Sequence, residues 1–182
     1  MAELSSRRSL EETWSFFETT GMKMPRDSHG RPFVPPRMPS HDDPEPLGFD
    51  FFRCMESDRD LSNLTLPRTF FGRSLLERIL FRNTDLSESR MCWNDFVDCD
   101  FTSADLVGCD LRSSLFRNCK FTGASLKNAE LRGAEFKRCD FTGAHMEGAK
   151  LTYFQRLVLP LSGDHKKVID WRWRPAAAPG GG

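Results

Sequence analysis

Cys99, Cys119 and Cys139 lie twenty residues apart, and three thiols at a fixed interval are the first feature that could do chemistry. Thiolates hold metals or exchange disulfides, and each use has a geometric requirement. Structural zinc sites need a tetrahedron, usually assembled from paired spacings such as Cys-x-x-Cys, and no such pair occurs here. A disulfide needs two side chains turned toward each other, whereas residues at a long constant interval stack in parallel. The histidines, His29, His41, His145 and His165, accompany no H-E-x-x-H, G-x-S-x-G or Walker motif. Asn63-Leu64-Thr65 is formally a glycosylation sequon, but it follows no secretion signal. The thiols therefore read as small core residues. No enzyme, metal or cofactor is expected.

What positions those thiols is a period of five. From Leu61 to Leu151, in steps of five, all nineteen positions are Leu, Phe or Met, and the next step lands on Arg156. Neither a helix, with period 3.6, nor a strand, with period 2, produces this pattern. It is an internal repeat. Two residues before each large position, from Cys99 to Ala149, every residue is small, and the remaining positions are mostly polar. A chain that turns inward twice in five residues and then corners must coil around an axis. The large residues sort as Phe-Phe-Leu-Leu from Phe96, so four pentads, or twenty residues, make one turn. Phe81, Phe101, Phe121 and Phe141 fall in one column, and Phe96, Phe116 and Phe136 in the next. Coils about 4.8 Å apart give a rod roughly 24 Å long.

Ala104-Asp105-Leu106, Cys99-Asp100-Phe101, Cys109-Asp110-Leu111 and Cys139-Asp140-Phe141 match an Ala-Asp/Asn-Leu-x-x consensus, so this stretch resembles the pentapeptide-repeat family. The resemblance covers about half the chain and implies an all-β fold, a right-handed quadrilateral β-helix of slightly under five coils. Before Asp85 the pattern departs: Phe70, Leu75 and Leu80 stand where Asp or Asn is expected, giving the first coil an apolar exterior.

The division expected is a short helix and proline-rich arm over 1–48, a solenoid over 49–153, a cap or edge segment over 154–174, and a disordered tail over 175–182. Ser9-Leu10-Glu11-Glu12 fits a capping box, and Leu10, Trp14 and Phe17 share one face of a short amphipathic helix. Residues 22–48 hold seven of the eleven prolines, an extended arm that spaces or straps. The helix, with Phe51-Phe52, is expected to fold back over the apolar first coil, because a solenoid end exposes strand edges. Tyr153 to Leu161 is suited to closing the far end. From Ile169 the chain alternates, with Ile169, Trp171 and Trp173 on one face, as a lid strand or a segment offered to a partner.

Charge balances at 26 basic and 26 acidic residues, which points to no nucleic acid in particular. No apolar run is long enough to cross a bilayer, so no membrane association is expected. Six cysteines and an N-terminus without a signal-peptide core read as a reducing cytosol, and the family resemblance implies a bacterial one. Along the rod, acidic residues dominate from Asp85 to Asp110 and basic residues from Arg112 to Arg138. The twenty-residue turn stacks Arg112 on Arg132 and Arg117 on Lys137, with Arg138 beside them. The candidate contact residues are therefore Trp93, Arg112, Arg117, Arg132, Lys137 and Arg138 on the rod, and Trp171, Arg172, Trp173 and Arg174 in the tail. The reading is a non-enzymatic module that binds an as yet unidentified protein partner, as a monomer or an end-to-end homodimer. The alternative implied by the resemblance is DNA mimicry toward a type II topoisomerase. Residues 59–153 carry 14 basic and 13 acidic side chains, which speaks against a mimic. Direct nucleic-acid binding is not expected either, for want of exposed aromatics among the basic residues.

Overall fold

The computed structural model describes residues 6–20, 26–40, 42–43 and 50–173. Helix α1 (Leu10–Thr19) begins with the expected capping box, in which the Ser9 N–H donates to Glu12 Oε2 at 2.7 Å and the Glu12 N–H to Ser9 Oγ at 3.2 Å. The rod then starts at β1 (Asp50–Phe52) and β2 (Met55–Ser57). β3 (Phe70–Gly72) pairs with β1 in parallel, and β4 (Leu75–Glu77) with β2, each twenty residues on. β5 (Asp95–Val97), β6 (Leu115–Arg117) and β7 (Glu135–Lys137) extend the second side into a five-stranded parallel sheet. Single bridges at the same interval, such as Leu80 with Asp100 and Asp85 with Asp105, build the other sides.

The solenoid has about six turns, more than the slightly under five expected. Counting apolar steps from Leu61 missed its start because Glu56 occupies a large-residue slot, although Glu56 still pairs in register with Leu76. At the other end, β8 (Lys150–Thr152) receives β9 (Asp170–Trp173) beyond the point where Arg156 interrupts the count.

Eighteen of the nineteen large positions are buried, and Phe136 near the far end is half-buried. The rings stack within a column because the coil rise sets their separation. Phe81–Phe101 centroids lie 4.9 Å apart at 11°, and Phe96–Phe116 4.9 Å apart at 3°. Between columns the contact is edge-on, as for Phe96–Phe101 at 5.6 Å and 73°.

The small inward positions do more than fill space. Where they are polar, they bond to the carbonyl of the large residue one coil back. Ser74 Oγ donates to Phe51 O at 2.7 Å, Asn94 Nδ2 to Phe71 O at 3.2 Å and Ser114 Oγ to Met91 O at 2.7 Å. The same side chains accept from the backbone of the coil before: the Ser74 N–H donates to Asn94 Oδ1 and the Asn94 N–H to Ser114 Oγ, at 3.0 and 2.9 Å. The thiols make the weaker version, with Cys99, Cys119 and Cys139 donating to Leu76, Phe96 and Phe116 carbonyls at 3.3–3.4 Å.

Both ends are closed by segments that imitate a further coil. Over the first turn, the Arg8 N–H donates to Asn63 O at 2.8 Å and the Thr65 N–H donates to Thr13 Oγ1 at 3.0 Å. Trp14 and Phe17 are buried, and Leu10 is half-buried. The helix thus covers the rod's end. On the side, Phe70 is covered by the Phe52 ring, stacked at 5.7 Å, in keeping with the part expected of Phe51-Phe52. A strap follows in the arm, where Arg68 Nη1 donates to Pro35 O at 2.7 Å and Pro35 and Pro39 are buried. At the far end, Gln155 in α2 (Gln155–Val158) donates from Nε2 to Leu131 O and Ala134 O, both at 2.9 Å, doing what a polar residue of another coil would do. Leu159, Leu161 and Ile169 are buried beside it, whereas Tyr153, Phe154, Leu157 and Val158 are exposed. α3 (Gly163–Val168), capped by Ser162, stands where no helix was expected.

Two inward substitutions separate the polar bridge from simple filling. Asn94→Ala strands the Ser74 N–H and the Phe71 carbonyl in a dry core and should cost about 2–4 kcal/mol. Cys119→Ala should cost less than about 1 kcal/mol, since it removes only a weak thiol donor and a little volume. Urea unfolding of the two variants measures the difference; equal losses would show that the bridge is dispensable.

Candidate functional site

Each pentad turns its corner through a residue in the left-handed backbone region, and fifteen such residues are not glycine. Their side chains point out. In one column these are Arg53, Arg73, Trp93, Ser113 and Gly133, with Trp93 at φ 62°. Bulky residues adopt this conformation at a cost of about 1–2 kcal/mol, so the corner must be held from beneath. It is: Asn94, next in the chain, is locked into the Ser74–Asn94–Ser114 ladder, and Cys92 on the other flank is buried. Trp93 itself is 63% exposed.

Three depressions meet at its ring. One, of about 470 Å³, is lined by Arg90, Cys92, Arg112, Ser113, Arg132 and Thr152. A second, about 300 Å³, has Phe52, Phe70, Gly72 and Cys92 below and Arg53, Arg73 and Arg90 around. The third, about 350 Å³, runs between Arg53, Met55, Arg73 and Asp95. The rings lie close over Gly72: a Cβ there would stand 3.1 Å from both Phe52 and Phe70, which would have to shift by a few tenths of an ångström.

Trp93, Arg112 and Arg132 thus line one depression, a meeting that was not expected, and the two arginines are not free. Arg112 Nε and Nη2 donate to both oxygens of Asp110 at 2.8 Å, and Arg132 makes the same bidentate contact with Glu130. Arg117 and Lys137 lie side by side in register on β6 and β7, on the neighbouring face. Lys137 pairs with Glu135 at 3.0 Å, and Arg138 donates to Asn118 Oδ1 at 2.7 Å. In the tail, Trp171 is half-buried, donates from Nε1 to Lys166 O at 3.0 Å, and carries the Arg156 guanidinium over its ring at 5.5 Å. Arg172 and Trp173 belong to the β9 backbone, and their side chains, like Arg174 and the tail beyond it, lie outside the described residues. Sequence reasoning missed Arg53, Arg73 and Arg90. The first two share Trp93's column, and counting back by twenty from Trp93 finds them.

The acidic belt is also spent locally. Asp85 and Asp105 accept from the backbone N–H two residues on, at 2.9 and 3.1 Å, which pins the outer face of the turn. Burial alone would raise the Asp110 carboxyl, but hydrogen bonds from Arg112 and the charges of Arg112 and Arg90 hold it below its ordinary value. Asp100 shows the same balance, with Thr102 and Arg82 outweighing burial.

A larger depression, about 560 Å³, separates the last coil from α3. Of the two imidazoles that line it, that of His165 is already used: Nε2 donates to Ala144 O at 3.0 Å while Nδ1 accepts from the Ser162 N–H at 3.4 Å. Burial pushes the Cys109 thiol up, away from the reactive thiolate. Among the described residues no three His, Cys, Asp or Glu side chains are grouped to hold a metal, and no helix is long and apolar enough to cross a membrane.

Two family models match, one described as a pentapeptide repeat region over residues 95–159 and one as pentapeptide repeats (8 copies) over residues 74–112. Among solved structures, HetL, a pentapeptide-repeat protein involved in heterocyst differentiation regulation in Nostoc sp. strain PCC 7120, is 20% identical with a TM-score of 0.53. The match covers 55% of this chain and 48% of HetL. A pentapeptide-repeat protein of the cyanobacterium Cyanothece 51142 is 14% identical, with a TM-score of 0.45 and coverage of 54% and 84%. One from the Arabidopsis thaliana thylakoid lumen is 30% identical, with a TM-score of 0.21 and coverage of 65% and 78%. No curated protein sequence matches.

The lowered carboxyls fix the sign of the acid response. Asp100 and Asp110 titrate below the ordinary 3.8 when folded, so their stabilisation is complete above that pH and is lost as pH falls through the folded values. The thermal midpoint should hold from pH 7 to about 5 and fall steeply below about pH 3.8. Asp110→Asn should flatten part of that fall, and an unchanged acid profile would refute the role given to its pair with Arg112.

Proposed function

The chain belongs to the pentapeptide-repeat family, and from that premise we propose that it is a non-enzymatic binding module that engages a protein partner through the corner around Trp93. Fold alone supplies no function, so the reading rests on one observation. Trp93 is a large aromatic, 63% exposed, on a backbone locked from below and surrounded by arginines. Trp and Arg are the residues most enriched where binding energy concentrates, and a rigid support reduces the ordering cost of binding.

Other surfaces are weaker candidates. Trp171 spends its N–H and one ring face within the cap. Tyr153, Phe154, Leu157 and Val158 form an exposed apolar end beside Arg156, Glu135 and Lys137, the surface an end-to-end homodimer would use. The topoisomerase alternative needs a strongly acidic face, whereas Asp100 and Asp110 are paired with Arg82 and Arg112. The six free thiols suit a reducing cytosol, which we take as the working compartment.

A photo-crosslinking residue at position 93 should yield a defined protein adduct in native extract. The same residue at position 138, on the neighbouring face, should not. Equal adducts from both positions, or adducts from 138 alone, would overturn the assignment of the corner.

A further inference from the structure

The chemistry of the surface around Trp93 narrows what it accepts. Phe52 and Phe70 stack at 5.7 Å to form an aromatic floor that lies close over the buried Gly72. Around this floor stand Arg90, whose charge already acts on Asp110, and Arg53 and Arg73, neither of which makes an ion pair among the described residues. This separates them from Arg112 and Arg132, which carry their own carboxylates two residues away. Arg53 lies over the Phe52 ring with its guanidinium 5.1 Å from the centroid, its edge left for an anion. Arg90 Nε is buried and has no hydrogen-bond partner among the described residues. Asp95 is the acidic residue lining the third depression, and it sits on the far side of Trp93 from the floor.

We propose that the corner binds an extended acidic peptide segment of a partner protein, with an apolar side chain seated on Phe52 and Phe70 beside Trp93 and carboxylates on Arg53 and Arg73. This rests on the binding role proposed above and adds the chemistry of the partner. Charge complementarity selects the occupant: unpaired guanidiniums favour bidentate carboxylates, and an aromatic floor favours an apolar anchor over a bare anion. Arg53 and Arg73 stand in one column on adjacent coils. Alternate side chains of an extended peptide lie about 6.7 Å apart, within reach of two long side chains on neighbouring coils. The second depression continues past Arg90, Cys92 and Trp93 into the first along the rod, a track for a peptide more than a cavity for a small molecule.

A random dodecapeptide library displayed on phage and selected on the full chain tests this, with Trp93→Ser and Arg53→Glu/Arg73→Glu as parallel baits. Serine already occupies the equivalent corner at Ser113 with φ 56°, and both arginines are exposed, so each variant keeps the fold, as circular dichroism verifies. Selected peptides should be enriched in Asp and Glu flanking an aromatic or aliphatic residue. Each should bind about tenfold or more weakly to either variant, and more weakly as salt rises. Peptides lost with Trp93→Ser but without acidic enrichment would refute the acidic partner and leave the corner as a binding site. Peptides indifferent to both variants, or no selection at all, would overturn the corner itself. A single-stranded oligothymidylate that binds in a Trp93-dependent way, more tightly than any selected peptide, would replace the acidic peptide by nucleic acid.

Discussion

Every turn of this rod aims backbone N–H and C=O groups along the axis, and only another turn in register can satisfy them. A buried backbone group left without a partner costs as much as a lost hydrogen bond, so the register of twenty residues is obligatory once the first turn has formed. Bonds such as Leu61 N–H to Leu80 O and Leu75 N–H to Cys54 O, at 2.8 and 3.0 Å, fix it in both directions. The phenylalanine columns, the inward polar ladder and the outward columns all follow, because each residue must lie over its counterpart one coil back. A side chain is therefore repeated, matched or opposed at a spacing the backbone dictates.

The same constraint makes the ends the vulnerable places and leaves the sides free for recognition. At the first coil, α1 supplies hydrogen bonds through Thr13 and Arg8 that a preceding coil would have supplied. At the last, Gln155 Nε2 gives Ala134 O the bond that the backbone of a further coil would have given it, as Glu135 N–H gives Ser114 O, and adds a second donor to Leu131 O. Trp171 and the β9 strand are absorbed into that closure. On the sides, most charges are consumed within a turn or between adjacent turns, as in Arg78 with Asp58 and Arg68 with Glu88. The Trp93 corner differs in having a large aromatic above a locked ladder and, in Arg53 and Arg73, guanidiniums that make no ion pair among the described residues.

The coil, its four sides and its core were legible in the sequence because large residues recur without a break from Leu61 to Leu151. The capping box at Ser9 was legible for a similar reason: it is written in adjacent residues. The number of turns was not, because Glu56 stands at a large-residue slot where backbone pairing, not side-chain type, continues the stack, and because β9 joins β8 only after α2 has broken the count at Arg156. Nor was the fate of the charges. Arg112 and Arg132 read as a basic patch by column, yet each turns sideways to the carboxylate two residues before it. Arg53 and Arg73 were overlooked because their pentads lie at or before the edge of the clean repeat, although their interval to Trp93 is the same twenty residues. Interval predicts which residues share a column; it does not predict which neighbour a long side chain chooses.

The most direct measurement is differential quenching of Trp93 fluorescence in a chain whose Trp14, Trp171 and Trp173 are replaced by phenylalanine. Iodide and caesium report on exposure and on the sign of the local field together. An exposed ring among unneutralised guanidiniums should be quenched severalfold more efficiently by iodide than by caesium, and the difference should shrink as salt is added. Weak quenching by both ions, or a preference for caesium, would contradict the account of this corner as an exposed cationic surface.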